Sequence, residues 1–178
     1  MRNPLLLDAC IAINLLATEH SESIAETLGI RFLMANRAAA ECEALEIIED
    51  GIAVRRQGTA TPEAAFADVL PLAEAEIDSY VHLARDIDDG EAATIAIASA
   101  RSLPMATDDR KARRVAVEMG LAPPIGTTSI LRQYAEAANL TPPQVAELLQ
   151  RVRSDASYIP RQTDENFAWW QRAIRPGA

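Results

Sequence analysis

The sequence predicts an α/β protein in which helices cover a central, mainly parallel β-sheet. Short apolar runs, such as residues 5–7 and 30–34, alternate with longer alanine- and leucine-rich stretches of helical periodicity, and this alternation is typical of parallel sheets. The 178 residues are 49% hydrophobic and 24% charged, which fits one globular domain. Asp8 and Asp108 directly follow two of the apolar runs. Because parallel sheets bind ligands at the carboxyl ends of their strands, these acids mark the expected site.

Local patterns define each predicted element. Continuous apolar runs predict buried strands, and apolar residues at helical spacing predict helices. Gly29 and Gly120 are expected to end helices, and Thr141 followed by Pro142 is typical of a helix start. The predicted strands are residues 4–8, 30–34, 69–72 and 105–107, with an extended piece at 52–56 and a short strand or loop at 123–126. The predicted helices are residues 10–17, 21–28, 37–48, 74–84, 91–101, 111–119, 128–137, 142–153 and 164–174.

The net charge excludes attraction of nucleic acid by the field of the whole protein. Because the formal net charge is −9, binding of RNA or DNA needs a local basic patch or a bound cation. One basic patch stands out, and it consists of Arg110, Lys111, Arg113 and Arg114. The functional interpretation is contact with phosphates. The structural alternative is a solvated helix face whose charges pair with nearby acids.

The two cysteines indicate a reducing compartment. Neither Cys10 nor Cys42 has the CxxC or Cys/His spacing of a zinc site or a disulfide framework. We expect no signal peptide, because Asp8 interrupts the first apolar run, and no apolar stretch reaches the length of a membrane span. The sequence therefore predicts a cytoplasmic protein with free thiols.

Acids spread over about a hundred positions are the strongest functional signal. Each of them ends a strand, opens a helix or lies within a helix. They are Asp8, Glu41, Glu91, Asp108 and Asp109. Carboxylates gathered at one edge of a sheet repel each other unless a cation lies among them. The set therefore predicts a site for a divalent metal, of the kind that hydrolyses phosphodiester bonds.

Several of these acids have structural alternatives. The pattern Asp88-x-x-Glu91 matches a capping box, although the nearly all-apolar helix behind Glu91 indicates that this acid lies at the start of a buried helix. Glu41 has two competitors on its predicted helix, Glu43 and Glu46. Two adjacent acids, Asp108 and Asp109, are more than one helix cap requires.

Together these segments resemble the PIN-domain family, most closely the small prokaryotic PIN proteins that include the VapC-like toxins. The resemblance depends on the order of Leu5-Leu6-Leu7-Asp8, the helical Glu41, Asp89-Gly90-Glu91-Ala92, Ala106-Thr107-Asp108-Asp109-Arg110 and Gly126-Thr127-Thr128-Ser129. It covers about residues 1–160 and implies a PIN-like three-layer fold there. Residues 161–178, which include Trp169 and Trp170, are then a helical C-terminal tail, and we expect this tryptophan pair to serve packing.

What the resemblance implies is an endoribonuclease that depends on Mg²⁺ or Mn²⁺. Its first three acids fall on Asp8, Glu41 and Glu91. The fourth is Asp109 by a Thr-x-Asp pattern or Asp108 by alignment of the strand end. The helix of Glu41 lacks the usual Pro and Val before the acid, so the choice between Glu41 and Glu43 stays open. The metal ligands implied are Asp8, Glu91, Asp108 and Asp109.

The resemblance also implies partners. RNA is the substrate, a homodimer is the common assembly, and relatives that act as toxins are blocked by an antitoxin. A type II toxin is thus the leading hypothesis, and a housekeeping PIN nuclease is the first rival. The second rival is a non-catalytic interaction protein in which the acids only cap helices.

Overall fold

The computed structural model describes residues 2–42, 46–49, 52–55 and 67–175. Its strands are β1 (Asn3–Leu7), β2 (Ile30–Ala35), β3 (Glu46–Glu49), β4 (Ile52–Arg55), β5 (Ala67–Leu70) and β6 (Met105–Ala106). Its helices are α1 (Ala9–Ala17), α2 (Ser21–Leu28), α3 (Asn36–Cys42), α4 (Glu74–Leu83), α5 (Asp89–Arg101), α6 (Arg110–Glu118), α7 (Thr127–Ala137), α8 (Pro142–Asp155) and α9 (Phe167–Ala173). The predicted α/β class is confirmed.

A four-stranded parallel sheet forms the centre, in the order β5-β2-β1-β6. Leu6 of β1 lies opposite Leu33 of β2 and Met105 of β6. The chain moves outward from β1 through β2 to β5 and then returns to the other side of β1, so the strand order reverses between β1 and β6. Such a reversal opens a crevice at the carboxyl ends of the two strands. Asp8 and Asp108 therefore come to the same crevice.

Helix α5 lies against the sheet and contacts β1, β2 and β6. Residues 92–98 are all buried, and most of them are alanine, so the helix can approach the strands closely. Asp88 caps its start by accepting a hydrogen bond from the backbone N–H of Glu91 at 2.8 Å. The cap expected from the sequence is thus present, and it holds Glu91 at the end of a buried helix.

The other local signals have mixed outcomes. Gly29 ends α2 in the left-handed conformation with φ of 63°, and Thr141 with Pro142 opens α8, as predicted. The third strand of the parallel sheet is Ala67–Leu70 rather than 69–72. The stretch 123–126 contributes one parallel bridge, between Ile125 and Ala106.

The predicted helix at residues 37–48 is wrong at residues 46–48, and residues 43–45 lie outside the described part of the chain. Helix α3 ends at Cys42, and β3 pairs with β4 as an antiparallel hairpin in which Glu46 lies opposite Arg55. Alanine and glutamate favoured a helix in the sequence, but half of each strand is isoleucine or valine, and β-branched residues favour sheets. The competitor Glu46 is therefore on a strand, and Glu43 lies outside the described residues.

The C-terminal tail folds back on the domain. Helix α9 contacts α8, and it begins at Phe167, three residues later than predicted. Trp170 is 1% exposed, and its ring packs edge-to-face on Tyr158 with centroids 5.6 Å apart. Packing, the role expected for the tryptophan pair, is thus confirmed for Trp170. None of the described helices is long and apolar enough to cross a membrane.

Candidate metal and nucleic-acid site

A cleft of about 770 Å³ opens at the carboxyl ends of β1 and β6. All five acids predicted for the site line it, although they come from four separate segments of the chain. The acidic residues along this part of the cleft are Asp8, Glu41, Asp88, Glu91, Asp108 and Asp109. The fold therefore brings the predicted acids to one place.

Asp8 is the most buried of these acids, with 4% of its surface exposed. One oxygen caps α1 by accepting a hydrogen bond from the backbone N–H of Ala9 at 2.9 Å. The other oxygen accepts from the hydroxyl of Thr107 at 2.7 Å and from the thiol of Cys10 at 3.3 Å. Burial raises the pKa of Asp8 above its ordinary value, and these hydrogen bonds oppose the rise. The helix cap and a site role are thus compatible.

Glu41 reaches the cleft from α3 because Gly90 leaves room for it. A Cβ atom placed on Gly90 would lie 2.3 Å from Oε1 of Glu41, far inside van der Waals contact. Partial burial raises the pKa of Glu41, the charges of Asp88 and Asp8 raise it further, and a hydrogen bond from the backbone of Gly90 opposes the rise. These effects show that Glu41 shares one electrostatic environment with the acids of the other segments.

Glu91 has a strongly raised pKa. Burial and then the charges of Asp88, Asp109 and Asp8 raise its pKa to about 7. The influence of three separate carboxylates indicates mutual repulsion within one cleft. A bound cation would relieve this repulsion.

Asp108 and Asp109 have different surroundings, although they are neighbours in sequence. Asp109 caps α6, where its Oδ1 accepts from the backbone N–H groups of Lys111 at 2.6 Å and Ala112 at 2.9 Å. Asp108 instead accepts from the hydroxyl of Thr127 at 2.6 Å and from the side chain of Asn14 at 3.3 Å. The charge of Asp109 raises the pKa of Glu91, whereas Asp108 joins the strand end to α1 and α7.

The predicted basic patch divides between the cleft and the surface. Arg110 and Arg113 line the cleft, and Arg113 donates to the backbone carbonyl of Thr107 at 2.9 Å. Lys111 donates to the backbone carbonyl of Asp86. Arg114 lies 3.7 Å from Glu118 in an exposed ion pair. Neither Lys111 nor Arg114 lines the cleft.

The chemistry of the donors fits a divalent cation. Carboxylate oxygens are the ligands that Mg²⁺ and Mn²⁺ prefer, and within the described residues none of the five predicted acids forms an ion pair with arginine or lysine. No three acidic, histidine or cysteine side chains of the described part are close enough to enclose an ion. The acids thus line the cleft as separate groups that repel one another. They would have to move closer together to bind one ion.

Some residues of the site had no clear signal in the sequence. Asn14 donates to Thr127 at 2.8 Å as well as to Asp108, and the hydroxyl of Tyr158 lies 3.5 Å from Asp108. Thr127 belongs to the stretch Gly126-Thr127-Thr128-Ser129, which resembles the PIN-domain family, and this resemblance is the one sequence signal for it. Asn14, in α1, and Tyr158, in a loop, belong to no motif in the sequence. Their place in the site comes only from tertiary contacts.

Comparison with known proteins identifies the family. A family model described as a PIN domain matches residues 7–168. Since this match covers most of the chain, the chain belongs to the PIN-domain family, and the predicted resemblance is confirmed. Comparisons with curated proteins and with solved structures gave no significant match. PIN domains are typically nucleases, and PIN nucleases generally use divalent metals.

Proposed function

We propose that the protein is an endoribonuclease that depends on Mg²⁺ or Mn²⁺ and hydrolyses phosphodiester bonds of RNA. The observation that supports this most is the convergence of the acids on one cleft at the carboxyl ends of β1 and β6. They come from four segments, none is paired with a cation among the described residues, and they raise each other's pKa. Helix capping alone does not require this convergence, because a cap needs only its own helix.

The metal ligands in this proposal are Asp8, Glu41, Glu91 and Asp109. When bound there, the cation supplies a water of lowered pKa and stabilises negative charge on the leaving oxygen. Thr107 orients Asp8 by donating to its Oδ2 at 2.7 Å.

Asp108 has a positioning role in this proposal. Thr127 donates to both of its oxygens, from the hydroxyl at 2.6 Å and from the backbone N–H at 3.1 Å, and Asn14 adds a third bond. The neighbouring charges that raise the pKa of Glu91 belong to Asp88, Asp109 and Asp8, so Asp108 is placed outside the ligand set, and its hydrogen bonds are proposed to position the chain. Asp108 thereby fixes the start of α7 against the end of β6.

Arg110 and Arg113 are proposed to contact the phosphates of the substrate. Both line the acidic cleft, and a protein of net charge −9 needs local cations to hold a polyanion. Arg113 is already fixed by its bond to Thr107, which reduces the entropy lost on binding a phosphate.

The test of this function is cleavage of single-stranded RNA in Mn²⁺ and in EDTA. We expect cleavage only with metal, and we expect Asp8→Asn and Asp109→Asn to reduce the rate by at least about 100-fold. Asparagine can cap α6 as well as aspartate does, so Asp109→Asn should melt at nearly the wild-type temperature. Metal-independent cleavage, or an Asp8→Asn protein that cuts at the normal rate, would contradict the proposal.

We further propose a biological role as the toxin of a type II toxin–antitoxin pair, acting as a homodimer. The support is the resemblance to VapC-like proteins described above. Induced expression should then arrest growth, and co-expression of a small neighbouring DNA-binding protein should relieve the arrest. If cleavage is confirmed but expression leaves growth unchanged, the protein is a PIN nuclease with a housekeeping role.

A further inference from the structure

The C-terminal segment 156–165 forms a separate wall of the acidic cleft. Hydrogen bonds fix this wall to the start of α7. The hydroxyl of Thr128 donates to Asp164 at 2.8 Å, and the hydroxyl of Ser129 donates to Glu165 at 2.8 Å. The packing of Tyr158 on Trp170 anchors the N-terminal end of the segment. The segment is therefore held in place beside the metal ligands.

Three arginines of the described chain line the cleft, namely Arg110, Arg113 and Arg161. Arg113 is engaged with the carbonyl of Thr107 at 2.9 Å. Arg161 is exposed, and among the described residues its guanidinium has neither an ion pair nor a hydrogen bond. Its side chain thus has no structural partner, although it lies in a strongly acidic cleft.

The acids next to Arg161 in sequence are already satisfied by other groups. Asp164 accepts from the hydroxyl of Thr128 with both oxygens, at 2.8 and 3.0 Å, and from the backbone N–H of Asn166 at 2.7 Å. Glu165 accepts from Ser129. These carboxylates hold the wall to α7, and they leave the guanidinium of Arg161 available for an anion that enters the cleft.

We propose that Arg161 binds a backbone phosphate of single-stranded RNA, on a different wall of the cleft from Arg110. This inference rests on the proposed nuclease function and adds a substrate-binding residue to it. An RNA strand that crosses the metal ligands has phosphates on both sides of the scissile bond. Arg110 follows Asp109 at the start of α6, and Arg161 lies on the C-terminal wall. The two guanidinium groups would therefore contact phosphates on separate walls. Guanidinium groups suit phosphate because they donate two parallel hydrogen bonds.

The experiment compares Arg161→Ala with the matched control Arg153→Ala. Arg153 is also exposed and also near the end of the chain, but it does not line the cleft. Cleavage of a single-stranded RNA oligonucleotide in Mn²⁺ gives KM and kcat. Binding of the same fluorescent oligonucleotide is measured over a range of salt with each substitution placed in the Asp8→Asn protein. Thermal melting confirms that all variants fold.

We expect Arg161→Ala to raise KM and the Kd for RNA by roughly 5- to 20-fold, with a smaller effect on kcat, because it removes one phosphate contact. The slope of log K against log salt should become shallower by about 0.7, the value for one phosphate of a single strand. Arg161→Lys should keep the salt slope and recover part of the affinity, since lysine retains the charge without the paired donors. Arg153→Ala should match the wild type.

The outcomes separate this inference from the proposed function. If the wild type cuts RNA with Mn²⁺ and Arg161→Ala has the KM, Kd and salt slope of Arg153→Ala, the role of Arg161 is wrong and the nuclease function stands. If the wild type neither cuts nor binds RNA, both fail. If Arg161→Ala lowers kcat alone and leaves Kd and slope unchanged, phosphate binding by Arg161 is also excluded.

Discussion

Two glycines decide where two of the site's carboxylates can lie. A Cβ on Gly90 would be 2.3 Å from Oε1 of Glu41, and a Cβ on Gly126 would be 2.8 Å from Oδ1 of Asp108. Neither glycine has a positive φ, so backbone freedom is not the reason for either. Their small size is what allows the carboxylates to approach. At this scale, the absence of a side chain is part of the site.

We expect Gly90→Ala to separate stability from activity. Gly90 lies in the first turn of α5, where alanine favours the helix by up to about 1 kcal/mol, and the end of the Glu41 side chain can swing away. The variant should therefore melt at or above the wild-type temperature. Its affinity for Mn²⁺ and its cleavage rate should fall by about 10- to 100-fold, as when a ligand loses its support.

A second substitution provides the control for this prediction. Adding Glu41→Asp shortens the displaced side chain by one methylene and should relieve the clash, so the double variant should bind Mn²⁺ more tightly than Gly90→Ala alone. Isothermal titration with Mn²⁺ and differential scanning calorimetry measure the two effects. Wild-type metal affinity in Gly90→Ala would show that Glu41 does not need its place beside Gly90.

Among the elements, α9 links the C-terminal tail to the site. Trp170 is buried and supports Tyr158, whose hydroxyl reaches Asp108. Residues 161–178 were predicted as a tail outside the nuclease domain, and that division stays a prediction. The segment on either side of residue 160 nevertheless lines the same cleft, so the tail supports one of its walls.

Trp170→Ala should lower the free energy of unfolding by about 3–5 kcal/mol, because it removes a large side chain from a packed interior. Trp169→Ala, at the half-buried neighbouring position, should cost clearly less. Denaturant unfolding followed by circular dichroism measures both changes. Equal losses for the two tryptophans would contradict the assignment of Trp170 as the packing residue.

For the whole molecule, the cleft concentrates negative charge at the expense of stability. Burial and neighbouring acids raise the pKa of Glu91 from 4.5 to about 7. A carboxyl whose pKa is higher in the folded state than in the unfolded state favours folding at low pH. The benefit is complete below about pH 4.5 and is lost as the pH rises through 7. Without metal, the folded protein therefore becomes less stable towards neutral pH because of this group.

We expect Glu91→Gln in EDTA to be more stable than the wild type at pH 8, since glutamine lacks the unfavourable charge. The difference should shrink as the pH falls from about 7 and level off below about 4.5, where Glu91 becomes neutral in the unfolded state as well as in the folded state. Adding Mn²⁺ at pH 8 should stabilise the wild type more than Glu91→Gln, because ligand binding stabilises only the folded form. Melting temperatures at several pH values test this, and identical pH profiles for the two proteins would refute it.

The same titration with Mn²⁺ separates a nuclease site from a set of helix caps. Acids that only cap helices do not bind a shared cation. A non-catalytic interaction protein should therefore melt at the same temperature with and without Mn²⁺.

Much of the fold was predictable because it depends on short-range patterns. Apolar runs identified β1, β2 and β6, helical spacing identified the helices of the sheet's faces, and Gly29 and Thr141 marked helix boundaries. The helix predicted across residues 46–48 failed for a physical reason. Residues 46–49 carry both helix-favouring and strand-favouring side chains, and pairing with β4 decides between them. Strand pairing is a contact that neighbouring residues do not determine.

The sequence by itself determined the PIN-like α/β fold and the identity of the acids, because strand ends, helix starts and caps are set by neighbouring residues. Only the tertiary structure decided what those acids do to one another. Asp108 accepts hydrogen bonds from Thr127 and Asn14, and the charge of Asp109 raises the pKa of Glu91. Arg161 lies on the wall of the cleft. Charge repulsion and hydrogen bonding act through space over a few ångströms, and folding alone brings residues that are about a hundred positions apart to that distance.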